Sequence, residues 1–150
     1  MHVVLLEPEI PPNTGSVARL CAATLTTLHL IEPLGFKIDD KHLKRAGLDY
    51  WEFVDLHVHK SWAEFRRQFD SQKLLYFSKK ATRSYIAACY REDDFLVFGP
   101  ETRGLPQALL DKYPERCYLI PMMGTGVRSL NLSNAVSIVL YEALRQLGKT

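Results

Sequence analysis

Three segments rich in glycine or proline carry the polar side chains that are best placed to do chemistry in this 150-residue chain. In the first segment, Pro11 and Pro12 make a rigid approach to Asn13, and Arg19 follows in what reads as a helix. The amide and the guanidinium could face one pocket, where a guanidinium can anchor a phosphate or polarise a hydroxyl group.

The other two segments combine glycine with polar groups in the same way. Gly99 comes directly after a buried strand pattern, and Pro100, Glu101 and Gly104 follow it. A glycine at such a position lets a ligand approach the backbone closely. The last segment holds Gly124 and Gly126, and it continues through residues 128–135 into the final helix pattern.

Each of these residues also has a purely structural interpretation. Asn13 could be a turn residue, Arg19 a surface arginine, and Ser129, Asn131 or Ser133 the N-cap of a helix. Three such segments at one end of a single sheet are more than a structural role requires. Their combination predicts one ligand-binding pocket.

Short apolar runs rich in Leu, Val, Ile and Phe predict the strands that would position these segments. The runs are His2–Leu6, Leu28–Ile31, Phe53–Val58, Leu74–Phe77, Phe95–Phe98 and Cys117–Ile120. A polar, basic connection from Ser78 to Asp94 separates two of them.

Helix patterns alternate with these strands. We expect a helix after the proline-rich loop with Thr14 or Ser16 as its N-cap, and a short helix from Asp39 or Asp40 through Arg45 that ends at Gly47. The spacing of Ser61 and Glu64 is that of a capping box, which opens a helix through Phe69. Apolar residues from Leu132 to Leu147 recur at helical spacing and predict a last helix. Strands that alternate with helices indicate a parallel sheet, and therefore an α/β fold. Ligands of such sheets bind beyond the carboxyl ends of the strands, where all three segments lie.

Composition indicates one globular domain over residues 1–150, because 47% of the residues are hydrophobic. The net charge of +2 does not by itself reveal a nucleic-acid partner. Local basic clusters lie at Lys41, Lys44 and Arg45, at Arg66 and Arg67, and at Lys79, Lys80 and Arg83. Three cysteines without paired spacing, and no membrane-length apolar stretch, favour a soluble cytoplasmic protein without a membrane partner.

Several chemistries lack their sequence patterns. The chain has no glycine pattern for a dinucleotide or a nucleoside triphosphate, and no serine elbow of a hydrolase. His57 and His59 share a strand face without an evident third ligand, so we expect surface histidines and no metal.

Together the three segments resemble the three signature motifs of the SPOUT superfamily of RNA methyltransferases. The motifs read here as Asn13-x-Gly15-x-x-x-Arg19, Phe98-Gly99-Pro100-Glu101-x-x-Gly104-Leu105 and Arg128-Ser129-Leu130-Asn131-Leu132-Ser133-Asn134-Ala135. Pro8–Asn13 and Arg45–Tyr50 bring the resemblance closer to the small family of transfer RNA 2'-O-methyltransferases that act on the wobble nucleotide.

The resemblance implies a Rossmann-like parallel sheet with a C-terminal deep trefoil knot, a feature that periodicity does not indicate. It also implies that the knot binds S-adenosylmethionine, leaving S-adenosylhomocysteine as product, with no metal. The implied cofactor-binding residues are Phe77, Ser78, Gly99, Pro100, Glu101, Gly104, Ile120, Met122, Ser129, Leu130 and Asn134.

For the reaction, the resemblance implies Arg19, Arg128, Tyr141 and Asn13 as catalytic or RNA-orienting residues. Because a guanidinium rarely loses its proton, we favour Arg19 as a phosphate anchor that polarises the attacking hydroxyl. The implied partners are the anticodon stem-loop of transfer RNA, with a cytidine or modified uridine as target, and a second copy of the chain. DNA is not an expected partner.

Other functions share parts of these patterns. The enzyme could methylate another position of transfer or ribosomal RNA. A flavodoxin-like nucleotide or flavin binder has the same length and fold class, but its first loop would not be proline-rich with a following arginine. An RNA-binding module without catalysis is disfavoured by the weak net charge and by the lack of an aromatic recognition motif.

Overall fold

One seven-stranded sheet forms the centre of the chain, in a computed structural model that describes residues 1–39, 41, 45 and 50–150. The strands are β1 (His2–Leu6), β2 (Thr27–Ile31), β3 (Leu56–His59), β4 (Leu74–Phe77), β5 (Arg83–Ser84), β6 (Phe95–Phe98) and β7 (Cys117–Leu119). Their order is β3-β2-β1-β6-β4-β7-β5, and every neighbouring pair is parallel. The predicted parallel α/β fold is confirmed.

Helices cover both faces of this sheet. They are α1 (Pro11–Thr24), α2 (Trp62–Gln68), α3 (Gln107–Lys112) and α4 (Leu132–Gln146). Helices α1 and α4 pack together on one face, with Val17, Val136 and Val139 fully buried in its core. Phe65 of α2 and Leu110 of α3 belong to the core of the opposite face. Alternate residues of β1 supply the two cores, as the period of a strand requires.

Helix α1 begins earlier than the sequence predicts. Pro11 and Pro12 are its first two residues, and the preceding Ile10 provides no side-chain cap. Proline fits these positions because the first amides of a helix need no intrahelical acceptor. The predicted caps Thr14 and Ser16 are therefore wrong, since both residues lie inside the helix. The Thr14 hydroxyl is buried without a hydrogen-bond partner among the described residues.

The N-cap of α2 is confirmed, but the reciprocal bond of the predicted capping box comes from Lys60, one residue before the cap. The Glu64 amide donates to the Ser61 hydroxyl at 3.1 Å, and the Glu64 carboxylate accepts from the Lys60 amide at 2.6 Å. The helix ends at Gln68, one residue before the predicted Phe69.

Other bounds also differ from prediction, by one residue at one end of β2, β7 and α4 and by more in two segments. A 3-10 turn at Trp51–Phe53 shortens the predicted third strand, which begins at Leu56. The connection from Ser78 to Asp94 contains the two-residue strand β5 and a 3-10 turn at Tyr85–Ala87. The predicted helix from Asp39 or Asp40 to Gly47 stays a prediction, because residues 40, 42–44 and 46–49 lie outside the described part of the chain.

A chain of three imidazoles crosses β1, β2 and β3. His2 Nδ1 lies 3.0 Å from His29 Nε2, and His29 Nδ1 lies 3.0 Å from His59 Nε2. The His29 and His59 side chains are buried beside Phe65 and Phe69. The expectation of a surface histidine is thus wrong for His59. We call His2, His29 and His59 the histidine chain.

Burial makes the charged form of these imidazoles unfavourable. It lowers the pKa of His29 to about 3 and that of His2 to about 4, and it also lowers the pKa of His59. In the described part of the chain, no three His, Cys, Asp or Glu side chains are arranged so that they could hold a metal ion. Nor does that part contain a helix with the length and apolarity needed to cross a membrane.

Candidate active site

The loops after β1 and β6 lie side by side at the carboxyl edge of the sheet. The two strands are neighbours, with Leu5 opposite Phe98, although they are far apart along the chain. Strand order reverses between them, because β2 and β3 extend to one side of β1 and the remaining strands to the other. Parallel sheets bind ligands at such a reversal.

The Glu101 carboxylate ties these two loops together. Its Oε2 atom accepts from the Glu9 amide at 2.8 Å, and Oε1 accepts from the Ile10 amide at 3.0 Å. The Asn13 side chain donates to Oε1 at 3.2 Å. In return, the Glu9 carboxylate accepts from the Thr102 amide at 3.1 Å and from its hydroxyl at 2.9 Å.

Asn131 adds the third segment. Its side-chain amide donates to Asn13 Oδ1 at 2.9 Å, and its own Oδ1 accepts from the Ser133 amide at 2.9 Å and the Asn134 amide at 3.4 Å. Asn131 is therefore the N-cap of α4 and a link to α1 at the same time. Residues from all three motif segments thus meet, and we call Glu101, Asn13 and Asn131 the polar junction.

Two glycines shape the loop that carries Glu101. A Cβ atom on Gly99 would lie 2.3 Å from the Gly104 carbonyl carbon and 2.3 Å from the Leu105 nitrogen. Gly104 has φ +67°, and its amide donates to the Pro100 carbonyl at 2.8 Å. The space beside Gly99 is therefore filled by the chain's own backbone, whereas the sequence suggested close approach of a ligand.

Aromatic side chains form the apolar side of this edge. The Phe77 ring stacks on Phe98 with centroids 5.1 Å apart, and Tyr118 lies beside it. Ile120 packs against the same core. The Ser78 amide donates to the Tyr118 carbonyl at 2.9 Å, which holds the ends of β4 and β7 together.

Residues 121–130 differ from the polar junction, because every one of them is exposed. Within the described residues, their one hydrogen bond to the rest of the chain runs from Lys79 Nζ to the Arg128 carbonyl at 3.2 Å. This exposed loop contains four of the predicted site residues, Met122, Arg128, Ser129 and Leu130. Apart from the Arg128 carbonyl, its backbone groups have no hydrogen-bond partner elsewhere in the described part of the chain.

The remaining predicted site residues lie on helices. Arg19 of α1 donates to the Tyr50 hydroxyl at 3.3 Å, and its guanidinium carbon lies 4.6 Å from the Tyr50 ring centre. Tyr141 is exposed on α4, as is Asn134. None of the hydrogen bonds between described residues joins the side chains of Arg19, Arg128 or Tyr141 to the polar junction.

Three residues whose side chains make the contacts described above were not among the predicted site residues. Asn131 stood in the third motif but was interpreted only as a cap. Glu9 was part of the proline-rich loop, and Tyr50 was part of the Arg45–Tyr50 segment. Their place in the motif segments was the available signal, whereas their partners could not be read from local sequence.

Comparison with known proteins gives consistent results. The family model described as the SpoU rRNA Methylase family matches residues 1–141. The chain is 52% identical over 149 residues to the tRNA (cytidine(34)-2'-O)-methyltransferase of Escherichia coli strain K12, covering 99% of this chain and 94% of that protein. It is 51% identical over 148 residues to the protein of the same name from Saccharophagus degradans, covering 98% and 96%.

Solved structures agree with this result. A structure described as giving structural insights into the 2-OH methylation of C/U34 on tRNA superposes with a TM-score of 0.94 at 49% identity, covering 99% of this chain and 97% of that chain. The SpoU methyltransferase AviRb from Streptomyces viridochromogenes, in complex with AdoMet, shares the fold with a TM-score of 0.84 at 24% identity, covering 98% and 57%. The chain belongs to the SpoU methylase family of RNA methyltransferases.

Proposed function

We propose that this protein transfers a methyl group from S-adenosylmethionine to the ribose 2'-hydroxyl of the wobble nucleotide of a transfer RNA. The observation that carries the proposal is the polar junction, which joins all three motif segments at one edge of the sheet. Full-length similarity to proteins named tRNA (cytidine(34)-2'-O)-methyltransferase supports the choice of nucleotide.

The residues at the carboxyl edge suit S-adenosylmethionine. An adenine ring needs apolar walls and a few fixed hydrogen-bond partners. Phe77 and Ile120 supply apolar surface, and the exposed loop offers backbone groups at Met122, Ser129 and Leu130. The cofactor supplies an electrophilic methyl group when it is bound.

Arg19 is our proposed anchor for the substrate. Its contact with Tyr50 holds the guanidinium beside an aromatic ring without neutralising its charge. A fixed cation can bind a phosphate and polarise the 2'-hydroxyl for attack along the line of the breaking carbon–sulfur bond. Arg128 and Tyr141 are further candidates for orienting the RNA.

Asn13 has a different role from the one that we expected. Its side-chain nitrogen donates to Glu101, and its oxygen accepts from Asn131. Both ends of the amide are therefore engaged by the protein. We propose that Asn13 holds the loops in position, and that Arg19 contacts the RNA.

We also propose a C-terminal trefoil knot and a homodimer that uses α1 and α4. The junction between Asn13 and Asn131 supports a C-terminal segment packed tightly against the first helix. Helix α4 has an apolar outer side at Ile138 and Tyr141, the latter 50% exposed, which a second copy could cover.

Methyl transfer from labelled S-adenosylmethionine to unmodified transfer RNA tests the proposal. We expect a 2'-O-methyl nucleotide at the wobble position. Arg19→Ala and Arg128→Ala should lower turnover without changing the far-ultraviolet circular dichroism spectrum. Methylation of ribosomal RNA or of another transfer RNA position would reject the assigned nucleotide, and no transfer to any RNA would reject the activity.

A further inference from the structure

Two depressions lie outside the candidate active site. The first, of about 510 Å³, runs between α2 and α3 on the face opposite α1 and α4. We call it the outer groove; it is lined by Trp62, Arg66, Arg67, Asp70, Leu109, Lys112 and Tyr113. The second, of about 670 Å³, follows β2 at the carboxyl edge and includes Phe36, Lys37 and Lys60. We call it the edge depression.

The two depressions meet the chain at nearly the same place, where β3 leads into α2. Lys60 lines the edge depression and Trp62 lines the outer groove, so that only Ser61 separates the two residues. At its other side, the loop of the edge depression contacts the first motif segment, where the Gly35 amide donates to the Pro8 carbonyl at 2.9 Å. The edge depression therefore lies between the first motif segment and the start of α2, which lines the outer groove.

Positive charge is concentrated in the outer groove, whereas the two lysines of the edge depression are balanced by Glu32 and Asp39. The outer groove has three cations, Arg66, Arg67 and Lys112, against the single carboxylate of Asp70. The ion pairs of the described residues use none of these three cations. The whole chain has a formal charge of only +2, so this local excess is not a consequence of a generally basic surface.

Aromatic rings held in place accompany the cations. Tyr113 stacks on the Tyr76 ring, with centroids 5.6 Å apart and planes at 15°. Trp62 is half-buried, and its ring centroid lies 5.4 Å from that of Phe65. Arg66 is also fixed, because its guanidinium donates to the carbonyls of Phe69 at 3.0 Å and Asp70 at 3.2 Å.

We propose that the outer groove binds the sugar–phosphate backbone of the RNA substrate at a distance from the methylated nucleotide. This proposal rests on the proposed function. Cations that alternate with fixed aromatic rings are the combination by which proteins hold a nucleic-acid strand without reading its sequence. Helix α2 follows β3 and has seven residues, so the groove runs beside it for about 10 Å, given the usual rise of a helix.

A charge-matched pair of double variants tests this inference. Arg67→Ala with Lys112→Ala removes two groove cations but leaves Arg66, which stabilises the end of α2. Arg91→Ala with Lys149→Ala removes two exposed cations outside both depressions. Binding of fluorescent transfer RNA is measured across a salt series, together with methyl-transfer kinetics and S-adenosylhomocysteine affinity.

We expect the groove variant to bind transfer RNA about 10-fold more weakly and to lower the salt dependence of binding by about two counterions. Its KM for transfer RNA should rise, while its turnover at saturation and its affinity for S-adenosylhomocysteine stay unchanged. The control variant should bind like the wild type.

Equal binding by the two double variants would overturn the groove assignment. A groove variant that loses affinity for poly-glutamate but keeps its affinity for transfer RNA would also overturn it, in favour of an acidic protein partner. Because RNA binding is measured without methyl transfer, an inactive wild-type protein would reject the proposed function and leave the groove result interpretable.

Discussion

The polar junction and the histidine chain are two hydrogen-bonded chains of polar groups with different positions in the sheet. The junction lies beyond the strand ends and joins loops through a carboxylate, two side-chain amides and backbone amides. The histidine chain lies within β1, β2 and β3 and uses imidazoles alone. The first can position groups around a ligand, whereas the second can only hold strands together.

Because of this difference, we expect variants of the polar junction to change activity and variants of the histidine chain to change stability. A variant of the junction should change methyl transfer, because it moves loops at the carboxyl edge. A variant of the histidine chain should change stability and its pH dependence, because its imidazoles are packed among aromatic rings and, among the described residues, none of them is hydrogen-bonded to the polar junction. The following predictions test that separation in order of expected effect.

Gly99→Ala should have the largest effect. The new Cβ atom would collide with backbone at 2.3 Å, and overpacking against backbone costs about 3 kcal/mol or more in the free energy of unfolding. Gly124→Ala is the matched control, since a Cβ atom there meets nothing within 4 Å. Urea unfolding of both variants gives the comparison. Equal free energies of unfolding would show that the loop at residues 99–104 accommodates a Cβ atom as easily as the exposed loop does.

Glu101→Gln and His29→Gln form the second test. Glutamine at position 101 would direct an amide donor at amide donors, which costs about 1–3 kcal/mol for an unsatisfied polar group. We expect this cost to appear in the barrier of methyl transfer, whose rate would then fall about 5- to 150-fold. His29→Gln should keep methyl transfer near neutral pH. If the His29 variant lost activity while its folded fraction stayed unchanged, the histidine chain would affect catalysis as the polar junction does, and the two could not be assigned separate roles.

Acid should destabilise the protein through the histidine chain. The folded-state pKa values of His29 and His2 lie below the unfolded value of 6.5, at about 3 and about 4. Stability from the neutral imidazoles is therefore complete above about pH 6.5 and is lost as pH falls toward the folded values. Between pH 7 and about 4.5, we expect His29 alone to account for a loss of about 2–3 kcal/mol, with a further contribution from His2.

The slope of stability against pH identifies the groups responsible. His29→Gln should flatten that slope, whatever its effect on stability at neutral pH. His57→Gln is the control, because His57 is exposed and is not a member of the histidine chain. An unchanged slope in the His29 variant would assign the acid sensitivity to other groups.

Asn131 caps α4 and also binds Asn13, and two substitutions can separate these roles. We expect their effects to be the smallest. Asn131→Asp keeps an oxygen for the Ser133 amide but loses the donor to Asn13, whereas Asn131→Ala loses both. We expect a cost of about 1 kcal/mol for the lost cap in the alanine variant alone. Methyl transfer should fall in both variants. Full activity in the aspartate variant would mean that the link to Asn13 is dispensable.

Much of the fold could be predicted because its signals are local. Strands β1, β4 and β6 were predicted with their observed ends, since a short apolar run bounded by polar residues needs no distant information. The Ser61–Glu64 box also depends only on nearby residues. The start of α1 was missed because proline suggested a loop, although the first turn of a helix tolerates it.

The amino-acid sequence by itself determined the alternation of strands and helices, the three motif segments and the family resemblance, because each depends on residue type and short spacing. Only the tertiary structure decided that Glu101 binds amides of Glu9 and Ile10, that Asn131 reaches Asn13, and that His59 is buried. Those pairings join residues distant along the chain, and strand order together with the packing of α1 on α4 brings them within hydrogen-bonding distance. Local patterns leave that order open, so the partners of a polar side chain follow only from the assembled sheet.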